Sequence, residues 1–323
     1  MHGAGKSIKM IKKVDVAIQS YKKPESLIFS LLSLHKVARD SIDTVWINDD
    51  QSRNGVIDIY KSDDFKKALH PWKVNVRENE KRMGWWLSFV RGYNPSYLSL
   101  SYKIFRGLFN FYKNKNFFVD KHDIRYQWAI DSTDKKFIFL MHDDITFKKN
   151  IIKKYLDSFS RMKKPAIVGD LGQCWRCPYQ AFGCRPDRIL RGFKPSSSWP
   201  ITRVKNTDHK RACRINEWSA LIYVPAAKFI EKKYQVFFGN YDDKSDLGAY
   251  WFGCAIKEKY QFDDPIFAHE KDDYYLHWEG GITGHSTWVN QGFGKNNYKN
   301  KELRLRLMRD FNFRYNWKQF DES

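Results

Sequence analysis

Residues 136–144 read Lys136-Phe137-Ile138-Phe139-Leu140-Met141-His142-Asp143-Asp144. An apolar run leads straight into a cluster of polar, charge-bearing residues. A run this short, bounded by polar residues, predicts a buried strand. Strands buried on both faces belong to parallel sheets with helices on each side. The polar cluster then falls at the strand's carboxyl end, where open α/β sheets bind their ligands.

The same pattern recurs along the chain. Val14-Asp15-Val16-Ala17-Ile18-Gln19-Ser20 predicts a strand, and Lys22-Lys23-Pro24-Glu25 opens a helix with Pro24 in its first turn. Leu27, Ile28, Leu31, Leu32 and Leu34 give that helix its apolar face. Thr44-Val45-Trp46-Ile47 is a further strand, ending at Asn48-Asp49-Asp50-Gln51-Ser52, and Lys73-Val74-Asn75-Val76-Arg77 is a weaker one. Residues 151–162 and 246–259 read as helices, and 166–169 and 217–224 as strands. Strands alternating with helices predict an α/β fold with a mainly parallel sheet.

Three polar clusters thus end strands: Gln19-Ser20-Tyr21, Asn48-Asp49-Asp50 and His142-Asp143-Asp144. A lone Asp-Asp is an ordinary turn or cap. Independent strands delivering carboxylates to one edge point instead to a hard divalent ion beside a diphosphate.

The order of motifs resembles GT-A nucleotide-sugar glycosyltransferases, most closely family 2. VDVAIQSYKKPESLIFSLLSL is similar to that family's donor-binding strand and helix, and VWINDDQS to its second strand and carboxylate turn. RENEKRMGWWLSFVRGY resembles its Asn-x-Gly segment, and FIFLMHDDITF stands where it carries Asp-x-Asp. FFGNYDDKSDLGAYWFGCAIKEKYQF resembles its acidic acceptor-side helix start. The resemblance spans most of residues 14–290 and lies in the order of the motifs rather than in any one of them.

That resemblance implies a GT-A, Rossmann-like sheet with insertions and a catalytic domain over 14–290. It implies a sugar transfer (EC 2.4) from a nucleoside-diphosphate donor to a glycan or lipid-linked glycan, of surface-polysaccharide or lipopolysaccharide type. Inversion by an Asp base goes with it. Carried over residue by residue, Ser20, Tyr21, Asp49, Asn79 and Gly84 border the nucleotide sugar. The family's first Asp aligns with Met141 or His142, so His142 stands in a donor-contacting place. Asp143 and Asp144 fall at the metal motif for Mn2+ or Mg2+. His277 and His285 compete for a late histidine ligand, each with a packing role as its alternative. Asp243 is the base candidate, with Asp242 and Asp246 close alternatives; Asp246 also suits a helix cap.

Cys174-x2-Cys177-x6-Cys184, with Cys213 beyond, has partial zinc-ligand character. Structural Zn2+ and reduced or redox-sensitive thiols both fit. Cys254 reads as a core thiol. Gly3-Ala4-Gly5-Lys6-Ser7 lacks the earlier glycine and preceding strand of a phosphate loop.

The chain has 323 residues, 42% hydrophobic and 17% aromatic, which excludes disorder as the main state. Five cysteines do not make a disulfide scaffold. With no secretory or spanning stretch, the expected location is cytoplasmic, peripheral on the inner face of the membrane. Lys+Arg total 57 against 37 Asp+Glu, a net charge of +20 that asks for an anionic partner. The surplus lies in an aromatic insertion over 93–127 and in a basic helical tail over 291–323. Residues 1–13 read as a flexible tail and 170–215 as a Cys-rich insertion. Basic residues among aromatics suit an anionic membrane surface; the alternative is a solvated helix packed on the body. Single-stranded nucleic-acid binding and metal-dependent nucleotidyl transfer are the rival functions. Common nucleic-acid modules are absent, and carboxylates at strand ends repel a phosphate chain, so nucleic acid is the less favoured partner.

Overall fold

The computed structural model describes residues 13–53, 55–83, 89–90, 101, 104–105, 108–109, 112, 118–171, 201–203, 210–212, 214–239, 247–277 and 300–321. In chain order the strands are β1 (Val14–Ser20), β2 (Ile42–Asp49), β3 (Lys73–Glu78), β4 (Phe89–Val90), β5 (Phe118–Val119), β6 (Phe137–Met141) and β7 (Ile145–Phe147). They continue with β8 (Pro165–Leu171), β9 (Ile201–Arg203), β10 (Lys210–Ala212), β11 (Ile215–Tyr223), β12 (Gln261–Asp263) and β13 (Tyr275–His277).

Seven of them form one sheet in the order β12-β8-β11-β6-β1-β2-β3. The neighbours β1 and β2, β2 and β3, β1 and β6, and β8 and β12 pair in parallel. Only β11 runs against its neighbours in this sheet. The reason is connectivity. β8 ends at Leu171 on the carboxyl edge, and the chain re-enters at that same edge with Ile215. Among the described residues between them lies the small antiparallel β9-β10 pair. The α/β, mixed and mainly parallel sheet expected from sequence is the fold observed.

Both faces of the sheet are covered, which is why its strands are nearly continuously apolar. Val14, Val16 and Ile18 enter one core, with α1 (Pro24–Ala38) and the helices Ile151–Phe159 and Asn300–Phe311. Ala17 enters the other, with Gln127–Ser132, Val224–Tyr234 and Ala249–Lys257. Each fully buried leucine of α1 contributes about 1.5–3 kcal/mol.

Where β8 meets β11 the backbones come very close. A Cβ on Gly169 would sit 2.7 Å from the Ser219 carbonyl oxygen, and the register shifts between Ile215 and Ala220. That irregular stretch holds Asn216, Glu217 and Trp218 at the carboxyl edge.

Parts of both basic segments are described. The C-terminal segment packs as part of the body, because Leu303, Leu307 and Phe313 join the α1 core. Two of its cations turn inward as well: Arg304 Nε lies 2.8 Å from the buried Glu25 carboxylate, and the Arg306 guanidinium covers Phe29. Within the stretch read as an aromatic insertion, Val119, Asp123, Ile124 and Tyr126 are buried. Before that point Ile104, Phe105, Leu108, Phe109 and Tyr112 are exposed. No helix among the described residues is long and apolar enough to cross a membrane.

Candidate metal centre

β6 ends at Met141, and His142 continues its ladder by donating its backbone N–H to the Trp218 carbonyl at 3.1 Å. Three residues later, at Ile145, β7 begins. It pairs antiparallel with β13, with His277 opposite Ile145. This ribbon brings a late segment of the chain beside the end of the central strand.

Three candidate ligands converge there. One donor atom each from His142, Asp144 and His277 lie within 4.8 Å of one another. Asp144 Oδ1 is 3.2 Å from His277 Nε2 and 3.7 Å from His142 Nδ1. His142 and Asp144 are two residues apart, the spacing that puts side chains on one side of an extended chain. Asp143 between them turns the other way, and its Oδ1 lies 3.2 Å from Lys23 Nζ. Of the three residues at the metal motif, the structure thus joins His142 and Asp144, and pairs Asp143 with a buried lysine.

The electrostatics follow from burial. Burial opposes the charge on Asp144, but His277, Lys23 and His142 outweigh it and hold that carboxyl well below the usual range. Burial pushes the Asp143 carboxyl up, against the pull of Lys23. Asp144 Oδ1 is buried without a well-aligned hydrogen bond, so an acceptor of high charge density is left facing two imidazoles. That is the chemistry of a divalent-ion site. The donor set fits: Mg2+ prefers oxygens alone, whereas two imidazoles with one carboxylate suit a first-row transition ion such as Mn2+.

The ribbon is fastened on both sides. Along α1 a stripe of serines meets alternate residues of the chain: Ser26 Oγ donates to the Asp143 carbonyl, Ser30 Oγ accepts from Ile145 N–H, and Ser33 Oγ accepts from Phe147 N–H at 2.9 Å. These bonds occupy backbone groups of β7 on the edge away from β13. On the far side, Lys271 pairs with Asp170 and Asp264, and Tyr275 donates to Asp170 at 2.8 Å.

Two more residues hold the imidazoles, and neither role is visible in the pattern of the chain. Glu217 Oε1 lies 3.3 Å from His142 Nε2, and Arg214 Nη1 lies 2.7 Å from Glu217 Oε2. The Trp218 ring packs 4.3 Å from that of His277. Burial opposes ionisation of Glu217, but Arg214 and His142 keep its carboxyl well below the usual range.

The donor-side residues lie at the adjacent strand ends. Ser20 Oγ and Tyr60 Oη are 2.7 Å apart. Asp49 is fully buried, and its carboxylate accepts from the Ser52 hydroxyl at 2.6 Å and the Ser52 N–H at 2.7 Å. Burial pushes the Asp49 carboxyl up, partly offset by those bonds. Asn79 donates to Asp50 Oδ1 at 2.9 Å and to the Asp123 carbonyl at 3.0 Å. Tyr21 is half-buried, and the Arg82 guanidinium stacks over it at 4.1 Å. Asp242, Asp243, Asp246, Gly84, His285, Cys174, Cys177, Cys184 and Cys213 lie outside the described residues. Cys254 is a buried thiol, pushed up to about 12 by burial.

No family model matches the chain, and no curated protein matches it. Solved structures similar to it include a mannosyltransferase from Pyrobaculum calidifontis in complex with GDP-Man and Mn2+, at 12% identity and TM-score 0.41. That match covers 78% of this chain and 54% of the other, so this chain spans about half its length. Core-mannan synthase A from Aspergillus fumigatus, in a Mn/GDP form, matches at 9% identity and TM-score 0.42, over 84% of this chain and 76% of that one. A putative glucose-1-phosphate thymidylyltransferase from Bacillus anthracis matches at 7% identity and TM-score 0.40, over 90% and 99%. Likenesses at this level decide neither activity nor substrate.

Proposed function

We propose that this chain is a metal-dependent glycosyltransferase of GT-A type. It moves a sugar from a nucleoside-diphosphate donor to a glycan or lipid-linked glycan, with inversion. The observation that carries the reading is the convergence of His142, Asp144 and His277 at the carboxyl edge of a mainly parallel sheet. The order of sequence motifs supports it.

In this reading a divalent ion such as Mn2+, if bound there, would supply positive charge beside the diphosphate. His142, Asp144 and His277 hold the ion. Ser20, Tyr21, Asp49, Asn79 and Gly84 border the donor. Tyr21, backed by Arg82, is an aromatic face on which a nucleobase stacks. Asp243, or Asp242 or Asp246, takes the proton from the acceptor hydroxyl. The exposed residues Phe105, Phe109 and Tyr112, in a basic stretch of sequence, bring the enzyme to an anionic membrane surface and its lipid-linked acceptor. Structural Zn2+ at Cys174, Cys177, Cys184 and Cys213 remains part of the reading.

The test is hydrolysis and transfer from a panel of UDP- and GDP-sugars with Mn2+ or Mg2+, in wild type and Asp144→Ala. Metal-dependent turnover lost in the variant supports it. Pyrophosphate release from a nucleoside triphosphate and a sugar phosphate identifies a nucleotidyltransferase instead. If no nucleotide sugar binds at saturating metal while single-stranded DNA binds at physiological salt, the reading is wrong.

A further inference from the structure

Consecutive residues of β11 address the two imidazoles of the centre from outside it. Trp218 packs on His277, while Glu217 lies within hydrogen-bond reach of His142. The second contact has a chemical consequence. An ionised carboxylate only accepts hydrogen bonds, so the His142 nitrogen facing it carries the proton. That nitrogen is Nε2, at 3.3 Å from Glu217 Oε1. In a neutral ring the lone pair then resides on Nδ1. Nδ1 is the nitrogen turned toward Asp144, 3.7 Å from Oδ1.

Glu217 is itself fixed. Arg214 and Glu217 are both buried, 2.7 Å apart, and β11 is pinned beside β6 by the bond from His142 N–H to the Trp218 carbonyl. Glu217 meets His142 at Nε2, and Asp144 faces the other ring nitrogen, Nδ1. The place of Glu217 in an irregular stretch, where the backbone crosses closely over Gly169, explains how a strand interior presents a carboxylate to this edge.

We propose that Glu217 is a positioning residue that sets the tautomer and ring orientation of His142, with Arg214 as its anchor, so that Nδ1 serves as the ligand atom. Carboxylate partners of this kind orient ligating histidines and raise their basicity, and their loss typically weakens metal binding 10–100-fold. The inference rests on the metal centre proposed above and names a residue outside the ligand set.

The experiment uses the full chain and Mn2+ alone, titrated by electron paramagnetic resonance, with apo stability measured in parallel. Glu217→Gln is expected to weaken Mn2+ about 10–100-fold. In a His142→Ala background the same substitution is expected to change affinity little, because its effect passes through His142. Wild-type affinity in Glu217→Gln overturns the proposal, and so does an equal loss in both backgrounds. Should Glu217→Gln fail to fold, nitrogen-15 histidine spectra of the wild-type apoprotein decide directly. A neutral His142 with its proton on Nε2 supports the assignment, and one with its proton on Nδ1 overturns it. If Asp144→Ala and His277→Ala also bind Mn2+ as wild type does, the metal centre itself falls. Loss in those two but not in Glu217→Gln rejects only the role of Glu217.

Discussion

His277 Nε2 lies 3.2 Å from Asp144 Oδ1 because His277 is the register partner of Ile145, the residue after that aspartate. The contact is thus set by a strand pairing, and the pairing by what grips its two sides. The stripe of serines on α1 holds β7, and Asp170 holds β13 through Lys271 and Tyr275. A slip of one residue in this ribbon would turn His277 to the opposite face. The candidate centre depends on the ribbon as much as on its three ligands.

Neighbouring aspartates are expected to behave differently. Asp144→Ala removes a ligand and is expected to weaken Mn2+ by more than ~100-fold, beyond the range for outer partners. Asp143→Ala is expected to leave affinity within about tenfold of wild type, the lower end of that range. It strips the buried Lys23 of this carboxylate, with a stability loss of about 3–5 kcal/mol. Mn2+ titration and urea unfolding of both variants check the contrast. Equal loss of metal in the two would reject the division of roles.

The serine stripe couples a helix to the metal site. Ser30→Ala and Ser33→Ala each leave a buried backbone N–H, of Ile145 or Phe147, without its acceptor. Each is expected to cost about 1–3 kcal/mol. Both are also expected to weaken Mn2+ binding, since β7 carries Asp144 into place. Full metal affinity in a destabilised double variant would show that the centre is held without the stripe.

Asp15 gives a pH test far from the site. It sits at the start of β1, and its Oδ2 accepts from Trp46 Nε1 at 2.9 Å and Thr133 Oγ1 at 2.7 Å. Burial pushes its carboxyl up, only partly offset by those bonds and by Lys135. A raised folded value means the stabilising contribution is full below the unfolded value and is lost as pH rises through the folded one. Asp15→Asn removes the titration and keeps an acceptor. Its stability relative to wild type is therefore expected to improve between about pH 4 and pH 7, measured by urea unfolding. A difference that stays flat, or moves the other way, contradicts the sign.

Much of this was legible in the chain. β1 and β6 are short, largely apolar runs between polar ends, so their burial followed from pattern alone. His142, Asp144 and His277 stood out as chemistry-bearing residues at strand ends or in a late polar stretch. Their grouping was harder, because which of three adjacent polar residues face one another depends on backbone direction after β6. Lys23 decides it by engaging Asp143. The β7–β13 ribbon was invisible because strands of three residues carry almost no periodicity. Glu217 and Arg214 were invisible as partners because charged residues at the start of a strand give no local sign of what they face across the sheet.

Asp123 tests how the donor side is built. Its side chain is 0% exposed, and Oδ1 lies 2.8 Å from Arg77 Nη2. Its two oxygens also accept from the backbone N–H groups of Glu80 and Lys81, each at 3.1 Å. Asp123 therefore fixes the chain leaving β3, the segment that carries Asn79. Asp123→Ala is expected to cost about 3–5 kcal/mol, as removing one member of a buried pair does. Replacing both members with apolar residues often recovers such a loss. Here Asp123→Leu with Arg77→Met is expected to recover little, because the donors of Glu80 and Lys81 stay unsatisfied. Urea unfolding of the single and double variants measures the difference. Near-complete recovery would mean that the ion pair, and not the two backbone bonds, accounts for the role of Asp123.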